Sequence, residues 1–239
     1  MIAAVTGEWT PLTSATEAAV KINALVAAYG ATAPFLRVYA GETATLAIMD
    51  GDAVLDGDSE EARLFLTMDP SVRRVRTDEI NARRLAAMWQ TDALCGDVMT
   101  PAATMTVDPV VEPLSPRDYW AVIQAVFGDA LPAFDAWYTD VSHRWRHDQC
   151  RLVGIRESGQ PVAVAMTTAE DPHRAVIGAV ATLPTHRGRG YAGRIVTSLA
   201  ATLEAVGKTV YLSPKNEYAR ALYERLGFIP CGRYGQVVR

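Results

Sequence analysis

Residues 180–194 read V-A-T-L-P-T-H-R-G-R-G-Y-A-G-R. The run up to Leu183 has the character of a strand end, and a short loop rich in Gly and Arg follows it. A helix is then predicted over 190–206, because Ile195, Val196, Leu199, Leu203 and Val206 share one helical face. A connection of this kind has a chemical consequence. The first turn of a helix leaves backbone N–H groups unpaired and carries the positive end of the helix dipole. Gly188 and Gly190 let that backbone approach a bulky anion without Cβ clashes, and Arg187, Arg189 and Arg194 add positive charge nearby. Pyrophosphate is the anion such a turn suits.

Working outward, the preceding residues predict a strand at 110–114, a helix at 116–127 with Pro116 in its first turn, and a second helix at 132–148. Strand-like runs follow at 151–156, 162–168 and 175–182, joined by turns at Ser158-Gly159-Gln160 and Asp171-Pro172-His173. After the helix come a short strand at 209–212, a helix at 216–226 and closing strands at 228–230 and 234–238. Four prolines and no helical period in 99–116 place a domain boundary there. Residues 1–108 are expected to form a smaller α/β domain, with helices at 14–29, 59–68 and 78–89 and strands at 35–40, 43–50, 53–55 and 72–76. Residues 109–239 form the second domain, and no internal repeat is visible in the residues themselves.

Length and composition bound the rest. A chain of 239 residues, 49% hydrophobic and 21% charged, is globular and long enough for two domains. No run of about 18 apolar residues exists to span a bilayer. The N-terminus lacks the basic start and apolar stretch of a secretion signal. Cys95, Cys150 and Cys231 are an odd number with no C-x-x-C pair, which argues against a disulfide framework or zinc ribbon and fits a reducing cytoplasm. A net charge of −4 removes any electrostatic case for nucleic acid. The charge is uneven: residues 1–108 hold 8 basic and 15 acidic side chains, residues 109–239 hold 15 and 12.

The turn admits three readings. Its arginines are simply solvated in a tight connection, or it binds a nucleotide, or it binds another pyrophosphate-bearing ligand. Gly188-x-Gly190-x-x-Gly193 formally matches G-x-G-x-x-G, yet the dinucleotide fold wants an acid near the end of the next strand. Here that strand ends Leu212-Ser213-Pro214-Lys215, and too little chain follows for a second mononucleotide half. The P-loop ending Gly-Lys-Ser/Thr is absent.

The third reading rests on a resemblance. Arg187, Gly190 and Ala192 resemble the R/Q-x-x-G-x-G/A acyl-CoA signature of the GNAT superfamily of N-acetyltransferases. Upstream, Val180-Ala181-Thr182 resembles the strand that family places beside the pantetheine arm. Downstream, N-E-Y-A-R-A-L-Y-E-R-L-G-F at 216–228 is similar to its late helix. The resemblance covers about 109–239, and the N-terminal half is similar in element order to a degenerate GNAT unit. It implies an α/β (α+β) fold, a mixed and mostly antiparallel sheet flanked by helices. It implies an acyl-CoA-dependent N-acetyltransferase in which an amine attacks acetyl-CoA directly, in a ternary complex and without a metal. Main-chain groups of Val180, Ala181 and Thr182 would meet pantetheine. Backbone amides of Gly188, Arg189, Gly190, Tyr191, Ala192 and Gly193, with Arg187, would cradle the pyrophosphate. Asn216 would cap the late helix, touch the cofactor, or both. Tyr223 would be the general acid, since a phenol of pKa about 10 is close in basicity to the leaving thiolate; it also lies on the apolar helical face, where the other reading is a core aromatic, and the L-Y-x-x-x-G-F context favours the catalytic role. A non-catalytic acyl-CoA-binding regulatory module is the alternative.

No general base stands out. Asp140, His143 and His147 share a helical face, which suits an acceptor site or a plain polar surface better than a metal. His173, His186, Glu170 and Asp171 have local turn or loop explanations. The acceptor is an unidentified amine, for which the acidic first domain favours a cation; the sequence fixes no oligomeric state.

Overall fold

Capping side chains set most helix starts. Thr16, Ser59 and Asp78 each accept a hydrogen bond from the backbone three residues on, at Ala19, Ala62 and Asn81. They open α1 (Glu17–Tyr29), α2 (Glu60–Met68) and α3 (Glu79–Trp89). The computed structural model describes residues 1–239, in two compact units: Met1–Val98 with Pro230–Arg239, and Met99–Ile229. The expected boundary at 108/109 thus falls ten residues earlier, and the chain end returns to the first unit.

In unit 1 those helices alternate with β1 (Ala3–Ala4), β2 (Leu36–Ala40), β3 (Ala44–Met49), β4 (Asp52–Gly57) and β5 (Arg74–Asp78). Neighbours from β1 to β4 are antiparallel, and β5 runs parallel to β4 from Asp52↔Arg74 to Val54↔Arg76. Leu46, Ile48, Leu55, Leu66, Val75 and Leu85 fill one core, with Val237 from the chain end.

β6 (Ala93–Pro101) carries the chain into unit 2. There follow β7 (Glu112–Pro113), α4 (Pro116–Phe127), α5 (Phe134–Arg146), β8 (Leu152–Glu157), β9 (Gln160–Glu170) and β10 (Arg174–Thr182). Then come α6 (Tyr191–Glu204), β11 (Thr209–Leu212), α7 (Glu217–Arg225) and β12 (Phe228–Val238). β8, β9 and β10 are antiparallel, and β11 is parallel to β10. Ile195, Val196, Leu199 and Leu203 of α6 are fully buried against this sheet, each contributing about 1.5–3 kcal/mol of apolar burial.

The two units therefore repeat one plan: one helix in unit 1 or two in unit 2, then three antiparallel strands, a helix, a parallel strand and a helix. The next strand beside β5 is Tyr234–Val238 of β12, while β11 pairs through Leu212 with Met99 of β6. Both are mixed, mostly antiparallel sheets flanked by helices, as expected.

Three readings needed adjustment. The strand expected at 110–114 shrinks to Glu112–Pro113, because Pro109 and Pro113 have no N–H to give to a ladder. β6 falls partly in the stretch taken as a linker. The two closing strands are one, β12.

Candidate functional site

The site begins where β10 outruns its neighbour. β10 and β11 pair only from Arg174↔Thr209 to Ile177↔Leu212, and β10 continues through Gly178 to Thr182 past the end of β11. Over those residues β10 is held on its other side by β9, with an extra residue inserted between Gly178↔Met166 and Ala181↔Val164. This is a β-bulge, and within it Ala179 takes φ 48°. The strained carbonyl is fixed: Tyr119 of α4, with no exposed surface, donates its hydroxyl to the Ala179 oxygen at 2.6 Å. Burial, then the nearby Cys150, pushes the Tyr119 hydroxyl well above its ordinary pKa. Nothing in the sequence marked Tyr119 except its place on an apolar helical face.

Val180 and Thr182 are half-buried and Ala181 is buried. The Thr182 hydroxyl oxygen is itself buried and has no hydrogen-bond partner. A buried polar atom without a partner is uncommon, and this one lies in the strand proposed to meet the pantetheine arm.

A single 3-10 turn, Pro184–His186, links β10 to the loop before α6. Gly188 and Gly190 both have φ 77°, and a Cβ at either would point into open space. Gly190 is the N-cap of α6, so no side chain takes the N–H groups of the first turn. Those donors have no side-chain cap, and the space above Gly188 and Gly190 is open. Gly193 has a different reason: its missing Cβ would lie 3.3 Å from Leu226, so it lets α6 pack on the end of α7.

The arginines are less available than the sequence implied. Arg189 pairs with Glu157 at 3.1 Å and Arg194 with Asp108 at 2.6 Å. Arg187 instead donates to the Thr182 carbonyl at 3.3 Å. Glu157 gathers Tyr191, Arg189 and His186 around it; the Tyr191 hydrogen bond and then the Arg189 charge hold its carboxyl below the usual range. Neither Glu157 nor Asp108 was legible as a partner.

Asn216 caps α7 by accepting from the Ala219 amide at 2.9 Å. Tyr223 is buried in the α6–α7 core, its ring 6.0 Å from that of Phe228, and burial raises its pKa above 10. Asp140 is bound by Arg144 at 2.7 Å, beside His143 and His147, whose rings are 4.7 Å apart. No three His, Cys, Asp or Glu side chains are grouped to hold a metal ion. Asp171 binds Arg174 at 2.6 Å and Glu170 binds Lys208 at 2.9 Å, so both serve the β9–β10 turn.

A sheet whose bulged strand outruns its parallel neighbour and leads into an uncapped, glycine-lined helix start marks the mixed, mostly antiparallel α/β fold of unit 2. Residues 119–228 match the model of the acetyltransferase (GNAT) family. No curated protein matches the sequence. Among solved structures, a GNAT-family acetyltransferase from Colwellia psychrerythraea is 14% identical with TM-score 0.58, covering 99% of this chain and 98% of its own. A GCN5-related N-acetyltransferase from Kribbella flavida is 18% identical with TM-score 0.59, covering 90% and 95%. A GNAT-family protein from Novosphingobium aromaticivorans is 21% identical with TM-score 0.55, covering 82% and 87%. At these identities the likeness is one of fold, and it extends over both units. No helix is long and apolar enough to cross a membrane.

Proposed function

We propose that the protein is an acetyl-CoA-dependent N-acetyltransferase whose chemistry is carried by unit 2. The observation that supports this most is the uncapped start of α6, with Gly188 and Gly190 open above it, directly after a strand that runs beyond β11. On this reading the amides of Gly188 to Gly193 hold the pyrophosphate of acetyl-CoA, and main-chain groups of Val180, Ala181 and Thr182 pair with its pantetheine arm. Arg187 supplies positive charge, while Arg189 and Tyr191 contribute main-chain groups, since their side chains are already turned to Glu157.

The neutral amine of the acceptor attacks the thioester carbonyl carbon. A backbone amide near Thr182 stabilises the charge that develops on the carbonyl oxygen. The C–S bond then breaks, the electron pair leaves on sulfur, and the Tyr223 hydroxyl protonates the thiolate. The amine nitrogen loses its proton to solvent water, solvent returns a proton to Tyr223, and the acetamide product and CoA are released. Burial keeps Tyr223 protonated across the working pH range, which a general acid requires. The reaction so written calls on no metal. A cytoplasmic setting agrees with three unpaired cysteines.

One observation favours a second reading, a non-catalytic acyl-CoA-binding module. The Tyr223 hydroxyl makes no hydrogen bond within the chain, and its ring sits among core residues beside Phe228. Calorimetric titration with acetyl-CoA, followed by thiol release against a panel of amines, separates the readings. Tyr223→Phe is expected to retain acetyl-CoA binding and lose at least about tenfold in transfer rate. Undiminished transfer by that variant removes Tyr223 as the acid, and absence of acetyl-CoA binding by folded protein removes the acetyl-donor reading.

A further inference from the structure

Unit 1 contains a cavity of about 690 Å³, within the range of small-molecule sites. It lies where β4 and β5 part. Their pairing ends at Val54↔Arg76, and the residues beyond, Leu55 to Gly57 and Thr77 to Asp78, line the cavity with the start of α1. In the repeated plan this is the counterpart of the place in unit 2 where β10 outruns β11. The chemistry is opposite. The connection after β4 has Ser59 as a side-chain cap and Glu60 and Glu61 in the first turn of α2, which disfavours a phosphate.

Most charges around the cavity are balanced within the protein. Glu17 pairs with Arg76 at 2.8 Å and Lys21 at 3.3 Å, Asp58 with Arg63 and Arg84, and Arg233 with Asp97 at 2.9 Å. Glu42, Asp78 and Asp56 have no such partner; Glu42 is exposed, Asp78 is half-buried and accepts from Asn81 and Thr77, and Asp56 is the buried one. It is 8% exposed, lines the cavity, and accepts only hydroxyls, from Ser14 and Thr16, both at 2.5 Å. No basic side chain pairs with it. A carboxylate buried without a counter-charge is costly to hold ionised, and an incoming cation offsets that cost. The two hydroxyls orient the carboxylate while leaving its charge uncompensated.

We infer that the unit 1 cavity is a binding site for a small organic ammonium ion, anchored on Asp56. The site is separate from the acyl-CoA turn and does not depend on the function proposed for unit 2.

The test is calorimetric titration of the full chain with 1,4-diaminobutane, with 1,4-butanediol as its neutral counterpart. The diamine is expected to bind and the diol not to. Asp56→Asn is expected to weaken diamine binding about tenfold or more, as loss of a charged hydrogen bond implies, with an unchanged circular dichroism spectrum. Ser14→Ala leaves the carboxylate in place and is expected to weaken binding only severalfold, which keeps the test decisive should Asp56→Asn misfold. Equal binding of diol and diamine, undiminished binding by folded Asp56→Asn, or no diamine binding at millimolar concentration each overturn the inference. So does displacement of the diamine by acetyl-CoA, which would put it in unit 2. Failure of acetyl-CoA to bind would leave the diamine result unaffected.

Discussion

Thr182→Val exchanges a hydroxyl for a methyl of nearly the same shape and keeps the β-branch that suits a strand. In an ordinary strand the change would cost a hydrogen bond. Here the Thr182 hydroxyl oxygen is buried and bonded to nothing in the chain. Burying an unpaired hydroxyl costs about 1–3 kcal/mol, so the valine variant is expected to gain about 1 kcal/mol in the unfolding of unit 2. For a domain of this size that is a rise of roughly 2–4 °C in Tm. Binding is expected to move the other way. If the pantetheine arm supplies the missing partner, the wild type gains about 0.5–1.5 kcal/mol on binding, a figure that excludes the relief of the orphaned oxygen. Thr182→Val is then expected to weaken acetyl-CoA binding roughly threefold to tenfold while stabilising the free protein. Urea unfolding and calorimetric titration of the two proteins read both quantities. A variant less stable than wild type by 1 kcal/mol or more would mean the hydroxyl has an internal partner. Unchanged acetyl-CoA affinity would mean the ligand does not reach it. Either result refutes the reasoning.

Other outcomes follow from the same geometry. Tyr119→Phe removes the donor to the carbonyl of half-buried Ala179 and is expected to cost about 1–3 kcal/mol in urea unfolding; a loss below about 0.5 kcal/mol would show that the bulge holds without it. Burial pushes the Cys150 thiol up to about 11, whereas Cys231 is exposed, so alkylation of native protein near pH 8 followed by mass mapping should mark Cys231 well before Cys150. Early labelling of Cys150 would mean its pocket opens. Tyr223, raised by burial, is protonated in the folded and unfolded chain alike below about pH 10, where it adds no pH slope. Above that the unfolded chain ionises first, so wild type should lose stability more steeply than Tyr223→Phe as pH rises past about 10; parallel slopes would place the hydroxyl in water.

What was legible in the sequence was whatever rested on local chemistry. α4 was readable to the residue because Ser115 caps it, Pro116 suits its first turn and Gly128 ends it. β11 and α7 were readable for similar reasons: a short apolar run, then Asn216 as a cap. β6 was missed because Leu94, Gly96, Asp97 and Pro101 show neither alternation nor a solid apolar run. Its strand state comes from pairing, which no window of neighbouring residues records. The same holds for the chain end, whose return beside β5 moved the domain boundary.

The site divides along the same line. The glycines, the helix start and the Asn216 cap are consequences of backbone geometry, which leaves a mark on the sequence. The partners of the arginines do not. Arg194 meets Asp108 across 86 positions and Arg189 meets Glu157 across 32, so a cluster that reads as strongly basic is largely neutralised once folded. On the function proposed above, phosphate affinity at this turn would rest mainly on main-chain donors and the helix dipole, with Arg187 as the chief side-chain charge. The two units make the complementary point. One plan of strands and helices produces a gap between parallel strands in each, and the residues around it decide what that gap takes. In unit 2 it leads to an uncapped helix start. In unit 1 the helix start is capped and acidic, and a carboxylate without a counter-charge faces the cavity instead.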